Sequence, residues 1–204
     1  NTIIERLEMD PTKIKNMKLT GKITTEDYDF MRVKMTSLQR LNLKEVMSEI
    51  NGVYAIPDGA FLNLKSLSKC VLPDSLERIE VDAFNGTSLT GALLLPEGLK
   101  YVAGFSGTKI TNVHFPSTLQ VIGDIAFANC SSLITEILLP ESLQTIQYRA
   151  FKNASITGKL VLPKSLINIG PEAFANCETL TGSLIIPDSI TEISASDYIG
   201  TFGG

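Results

Sequence analysis

His114 is the single histidine of the chain, so any histidine-based dyad, triad or metal site must use it. Metal sites built on one histidine recruit cysteines or carboxylates at short spacing. Three cysteines (Cys70, Cys130 and Cys177) add little nucleophilic or metal-binding material. Glu26, Asp27 and Asp29 lie close together and suggest a cation site, but at the start of a helix the helix dipole already favours negative charge. N-x-S/T sequons occur at Asn85, Asn129 and Asn153. No G-x-S-x-G, H-E-x-x-H, C-x-x-C or phosphate-loop pattern is present. The sequence therefore predicts no catalytic residues, no metal and no cofactor: the chain is not expected to be an enzyme.

The frame around these residues is that of an ordinary globular chain. It has 204 residues, 44% hydrophobic and 20% charged, with a formal net charge of −4 and no tryptophan. A pI near 5.1 argues against non-specific nucleic-acid binding, which needs a basic footprint. No apolar run reaches the ~18–20 residues of a membrane span. The opening Asn1-Thr2-Ile3-Ile4-Glu5-Arg6 lacks the parts of a signal peptide, which fits a cytoplasmic protein or a trimmed mature chain.

Prolines reveal an internal repeat. Those at 73, 96, 116, 140, 163 and 187 are 23, 20, 24, 23 and 24 residues apart, and each follows an apolar triplet such as Leu93-Leu94-Leu95 or Leu160-Val161-Leu162. Phenylalanines keep the same beat at 61, 84, 105, 127, 151 and 174. A unit of this length cannot close a core alone and must stack on its neighbours. Period-2 alternation sends the first and third residues of each triplet inward and the middle one outward. Proline, with no N–H to donate, ends the strand. The Ala-Phe pair plugs the far wall, and the asparagines at 129, 153 and 176 suit a left-handed turn. Cys130 and Cys177 fall on equivalent turns two coils apart, roughly 9–10 Å by strand spacing, too far for a disulfide; Cys70 belongs to the inward set. The sequons sit on the repeat's own turn, which generates them.

Residues 1–52 read as an N-terminal cap with two divergent leucine-rich-repeat strands, and 53–204 as the repeats, ending in a degenerate coil. Ile14-x-x-Met17-x-Leu19 and Leu38-x-x-Leu41-x-Leu43 carry the L-x-x-L-x-L signature, as do Leu67-x-x-Cys70-x-Leu72 and Ile110-x-x-Val113-x-Phe115. Most later copies add one residue before the strand. Thr24 or Thr25 can cap a helix through Tyr28, Phe30, Met31 and Met35, and Ile3 to Met9 suggests a short opening helix. The third coil, Gly98 to Lys109, is short and replaces the usual turn with Gly104-Phe105-Ser106-Gly107. In the last coil Ser194-Ala195-Ser196-Asp197-Tyr198 stands where a Gly-x-x-Ala-Phe segment belongs, as in a degenerate C-terminal cap or a cut in a longer array.

Val161-Leu162-Pro163-Lys164-Ser165-Leu166 through Glu172-Ala173-Phe174-Ala175-Asn176-Cys177 is close to the consensus unit of the BspA-like, or Treponema-type, leucine-rich-repeat proteins. Lys18-Leu19-Thr20-Gly21-Lys22-Ile23, with Leu38-Gln39-Arg40-Leu41-Asn42-Leu43, also resembles the N-terminal cap of such proteins from gut anaerobes. The resemblance runs from about Ile14 to Ile193. It implies a secreted or surface-attached bacterial protein, with its signal or anchor removed from this chain, that binds a host or neighbouring-cell component. The family has no shared active site to carry over.

The expected fold is an α/β leucine-rich-repeat solenoid: a right-handed superhelix with a parallel concave sheet of about eight strands, β-rich, with short helices in the N-terminal cap. Strands are expected at Leu19, Leu43, Leu72, Leu95, Phe115, Leu139, Leu162 and Ile186. The outward ladder Val71, Leu94, His114, Leu138, Val161 and Ile185 is mostly aliphatic, flanked by residues that include Lys69, Asn112, Glu136 and Lys159. A contiguous exposed apolar strip marks an interaction site, so the expected function is adhesion-type binding of a protein or glycan by the concave sheet. The alternative is a structural spacer or cell-envelope scaffold, whose aliphatics merely stiffen the ladder.

Overall fold

A computed structural model describes residues 9–190, and these form a solenoid of stacked coils whose backbone runs along three walls. The first wall carries the longer strands. β1 (Asn16–Lys22), β2 (Arg40–Met47) and β5 (Lys69–Val71) pair in parallel; further along, β7 (Thr90–Leu94) pairs with β9 (Lys109–His114) and β12 (Gly158–Lys159) with β14 (Leu180–Thr181). The second wall is one seven-stranded sheet. It begins with the antiparallel pair β3 (Glu49–Ile50) and β4 (Val53–Ile56). It continues in parallel through β6 (Arg78–Ile79), β8 (Tyr101–Val102), β10 (Val121–Ile122), β11 (Thr145–Ile146) and β13 (Asn168–Ile169).

Each proline makes the corner between these walls. Its carbonyl accepts from the N–H three residues on, as in Leu76 to Pro73 (3.3 Å) and Leu143 to Pro140 (3.0 Å). The missing proline N–H costs nothing at a strand end, and the fixed φ starts the turn. The next isoleucine or valine then points inward: Ile79, Val102, Ile122, Ile146 and Ile169 are fully buried.

The first wall differs from the sequence expectation in its continuity. The expected strands at Leu139, Leu162 and Ile186 do not form; the ladder exists in three pieces, and the unbroken sheet is the second wall. The extra residue before the later strands explains part of this. Gly91 and Gly158 take φ of +84° and +79° at that place, and at Gly91 the register of β7 against β9 shifts. A glycine absorbs such a bulge without a Cβ penalty. The coil from Leu133 to Leu139 has the extra residue but holds Thr135 and Glu136 there, and it forms no strand with either neighbour, although Thr157 N donates to Thr135 O at 2.9 Å.

The third wall is held by hydrogen bonds that run in one direction. Phe61 N donates to Ala83 O (2.7 Å), Phe84 to Gly104 (2.7 Å), Phe105 to Ala126 (2.8 Å), Phe127 to Ala150 (2.7 Å) and Phe151 to Ala173 (2.8 Å). Residues two after each phenylalanine donate likewise, Asn129 to Lys152 O and Asn153 to Ala175 O among them. The position two after phenylalanine has positive φ in all six coils: Asn63, Gly86, Gly107, Asn129, Asn153 and Asn176. The position two before it does so as well in five, at Gly59, Asp82, Ile125, Arg149 and Glu172. The asparagines match the turn read from the sequence; Ile125 at +55° is a β-branched residue held where it is strained.

Inside this wall the phenylalanine rings form a column. Successive centroids are 5.1, 5.0, 5.7, 5.5 and 5.3 Å apart from Phe61 to Phe174, with interplanar angles of 26° or less. The inward triplet residues Leu95, Phe115 and Leu162 are buried and Leu139 packs against the same core, one stack as expected. At the N-terminal end α1 (Thr25–Lys34) closes the column: Thr24 and Asp27 form a capping box, and Tyr28 meets Phe61 edge-on at 5.5 Å. The third coil omits two residues between Val102 and Phe105 yet keeps Phe105 in the column. It does so through Gly104 at φ +85°, where a Cβ would lie 2.6 Å from Glu80 O. The opening-helix segment before Met9 and the segment at Ser194–Tyr198 lie outside the described residues.

Candidate functional site

The outward ladder stands in solvent. Leu94 and Leu138 are each 74% exposed, Ile185 71%, Val161 60% and Val71 47%. His114, Asn112, Glu136 and Lys159 are exposed as well. The structure brings some of them together through strand register: Leu94 lies beside His114 and Ala92 beside Asn112 on β7 and β9, and Val71 lies beside Asn42 on β2 and β5. Leu138, Val161 and Ile185 follow on segments without strand pairing. Ile134, 68% exposed beside the bulge position of its coil, joins this face and was missed because the extra residue obscures which way it points.

Where the ladder is broken, clefts open between coils. Val71 and Leu94 belong to adjacent coils but not to one sheet. The gap is a cleft of about 640 Å³ with Leu72, Leu93, Leu95 and Cys70 in its walls and Lys44, Lys69 and Asp74 at its rim. A second, of about 560 Å³, lies between Leu160–Leu162 and Ile185–Pro187. A third hollow of about 540 Å³ lies over β1, β2 and β5, bordered by Asn16, Lys18, Arg40, Asn42, Lys69 and Val71.

The other residues with chemical potential are occupied structurally. The three cysteines are free thiols. Cys130 Sγ donates to Phe105 O at 3.2 Å and Cys177 Sγ to Phe151 O at 3.1 Å, each reaching back to the preceding coil, whereas the Thr87 and Thr108 hydroxyls at the same place donate to the phenylalanine carbonyl of their own coil. Burial pushes the Cys177 thiol up to about 11 and the Cys70 thiol up to about 12, away from thiolate chemistry at neutral pH. Asp27 accepts from Thr24 N (2.9 Å), and the Thr24 hydroxyl beside Glu26 holds that carboxyl below its ordinary value. Glu26 and Asp27 thus serve the helix start, and Asp29 pairs with Arg32 at 2.6 Å along the same helix. The amide groups of Asn129, Asn153 and Asn176 form a ladder across three coils at 2.8 Å per bond, so two sequon asparagines are engaged in packing. Among the described residues no group of three His, Cys, Asp or Glu side chains could hold a metal ion, and His114 makes no side-chain hydrogen bond.

Glu172 is buried on the third wall and takes two bonds from Arg149 (3.1 and 2.9 Å) and a further one from Lys152. Arg149 and then Lys152 hold its carboxyl down at about 2. The Arg149 guanidinium also stacks 4.5 Å over Tyr148. This ion triad ties one coil to the next.

A model of the BspA type leucine rich repeat region matches in six copies, over residues 9–103, 54–180 and 102–201. No curated protein matches the chain. Among solved structures, a leucine-rich repeat protein from Bacteroides ovatus ATCC 8483 superimposes with a TM-score of 0.60 at 21% identity, over 89% of this chain and 45% of that one. The chain therefore spans less than half of that relative, and the likeness is one of fold. A leucine rich cell surface protein from Faecalibacterium prausnitzii A2-165 is 18% identical, with a TM-score of 0.36 and 82% of each chain covered. The proline corners, the phenylalanine column and the family match over most of the sequence agree: this chain belongs to the BspA-type leucine-rich repeat family.

Proposed function

We propose that the chain is a non-enzymatic interaction module that binds a protein or glycan partner outside the cell, through the face carrying the longer strands. The observation that carries this reading is the run of large aliphatics on that face, with Leu94, Leu138, Val161 and Ile185 all more than half exposed. Stiffening of a sheet by neighbouring aliphatics needs cross-strand pairs. Three of these four residues stand on segments without such pairing, so exposure there has no structural return and points to a partner. The family resemblance favours a location on or outside the cell, and repeat solenoids supply extended surfaces for such contacts. Among the described residues no helix is long and apolar enough to cross a membrane.

The test is a paired display experiment. Wild-type chain and a Leu138→Glu/Val161→Lys variant are applied to arrays of extracellular proteins and of glycans. The expected result is a binding feature that the variant loses while its circular dichroism spectrum and urea midpoint stay unchanged. Retained binding by the folded variant refutes the face; no wild-type binding on either array favours the scaffold reading.

A further inference from the structure

The first three strands of this face place six outward side chains in a grid. Strand register sets Asn16 beside Arg40 and Arg40 beside Lys69 in one column, and Lys18 beside Asn42 and Asn42 beside Val71 in the next. Parallel neighbours are about 4.8 Å apart, so Arg40 and Lys69 carry like charges side by side, an arrangement that is destabilising on its own. Two cations nearby on these strands are paired: Lys18 meets Glu45 at 2.6 Å and Lys44 lies 3.9 Å from Asp74. Arg40 and Lys69 have no ion pair and no side-chain hydrogen bond among the described residues. In a chain of net charge −4, two adjacent uncompensated cations in a hollow flanked by two amides form a site for an anionic group.

Lys69 also stands at the rim of the apolar cleft between Val71 and Leu94. Lys69 and Val71 are two apart on β5 and share its outer face. An extended peptide has the same period, with residues i and i+2 on one face about 6.6 Å apart. We propose that this grid binds an acidic, aliphatic polypeptide segment in extended form. A glutamate or aspartate sits between Arg40 and Lys69, and an aliphatic side chain two or four residues away lies over Val71 and into the cleft against Leu94. Charge complementarity selects the acidic end. The aliphatic walls select a polypeptide over a saccharide, since the hollow carries no aromatic ring and the two rings of the cleft, Phe84 and Phe105, are fully buried and offer no face on which a sugar could stack. This proposal rests on the reading that this face binds a protein, and it names the partner's chemistry.

The probe is Glu-Ser-Glu-Ser-Leu-Ser-Leu-Gly-Lys-amide, acetylated at its N-terminus and carrying fluorescein on the lysine side chain, followed by fluorescence anisotropy against the full chain. The wild type is expected to bind it more weakly as salt is raised, because screening acts on exposed charges. Arg40→Glu/Lys69→Glu should weaken binding by about tenfold or more, a loss of two charge contacts. Lys65→Glu/Lys164→Glu changes net charge equally on sites off the grid and should stay within about twofold. Arg40→Gln/Lys69→Gln removes the repulsion as well as the charge. It should fold at least as well as wild type, keeping the test valid if charge reversal unfolds the strands. Absence of wild-type binding up to about 1 mM peptide overturns the proposal. So does equal binding by the Arg40/Lys69 variants. Tighter binding of heparin than of peptide, lost in the same variants, makes the partner a polyanionic saccharide instead. Salt-sensitive self-association of the wild type, abolished in the variants, makes it a second copy. Loss of peptide binding in Leu138→Glu/Val161→Lys alone keeps the face and discards the grid.

Discussion

Removing one ring from the phenylalanine column should reveal how stability is distributed along the solenoid. Phe127 is fully buried and stacks on Phe105 at 5.7 Å and Phe151 at 5.5 Å, with Phe115 edge-on at 5.7 Å. Replacing a buried phenylalanine by alanine costs about 3–5 kcal/mol through lost transfer energy and the cavity left behind. Phe84, equally buried, has two ring contacts in place of three: Phe61 at 5.1 Å and Phe105 at 5.0 Å. Phe127→Ala should therefore exceed Phe84→Ala by the worth of one aromatic pair, about 0.5–1.5 kcal/mol. At a urea slope of about 2 kcal/mol/M the Phe127 penalty moves the midpoint down by about 1.5–2.5 M. Equilibrium urea denaturation followed by circular dichroism measures this. Hydrogen exchange then reports whether faster exchange is confined to the coils holding Phe105 and Phe151, as nearest-neighbour coupling requires. An unchanged midpoint would refute an interior column. Uniform acceleration from α1 to β14 would refute the local coupling while leaving the column intact.

Three other outcomes follow from particular groups. The Glu172 carboxyl is held at about 2 against an ordinary 4.5, so its stabilising contribution is complete above that ordinary value and is lost as pH falls toward 2. Urea midpoints of wild type and Glu172→Gln should converge across that window, and a constant difference would remove the ion triad as the cause. Ile125→Asn relieves a β-branched residue at φ +55° and should stabilise by about 1 kcal/mol, whereas Gly104→Ala puts a Cβ against Glu80 O at 2.6 Å and Ala83 N at 2.7 Å and should destabilise by about 1–3 kcal/mol. Thermal melts of the two variants should shift in opposite directions. Native chain treated with a thiol reagent at neutral pH should label slowly at Cys130 and Cys177 and rapidly in urea, located by peptide mass; fast native labelling of either would contradict their burial.

Much of this architecture was legible because the repeat writes it six times. Proline after an inward apolar residue marks the corner, Ala-Phe marks the column, and asparagine marks the left-handed turn. The second wall was less visible, since strands of two residues such as Arg78–Ile79 are too short to show a period of two. The positive φ of Ile125, Arg149 and Glu172 left no trace in residue type, because the forward hydrogen bonds of the third wall impose it against local preference. The interruptions of the first wall had a partial signal in the presence or absence of a glycine at the extra residue. The exposure of the aliphatic ladder followed from alternation alone. The cation grid did not: Arg40 and Lys69 are distant in sequence and become neighbours only through the pairing of β2 with β5. Superposing Leu38-x-Arg40-Leu41 on Leu67-x-Lys69-Cys70 would have shown both at the third place of the signature.

The one-way bonding gives the third wall an electrical sense, opposite to that of the bonds beside the second wall, where Ala103, Gly123, Gln147 and Gly170 donate to the earlier coil. In ordinary parallel sheets peptide dipoles alternate along each strand and nearly cancel along the stacking direction. Here the N–H groups of Phe61, Phe84, Phe105, Phe127 and Phe151 all point toward the next coil, so their dipoles add along the stack. The positive end of this sum lies at the later coils, the reverse of an α-helix, where it lies at the N-terminus. A negative group is favoured at the later end of the wall, and Glu172, buried one coil beyond Arg149, stands there with its charge retained.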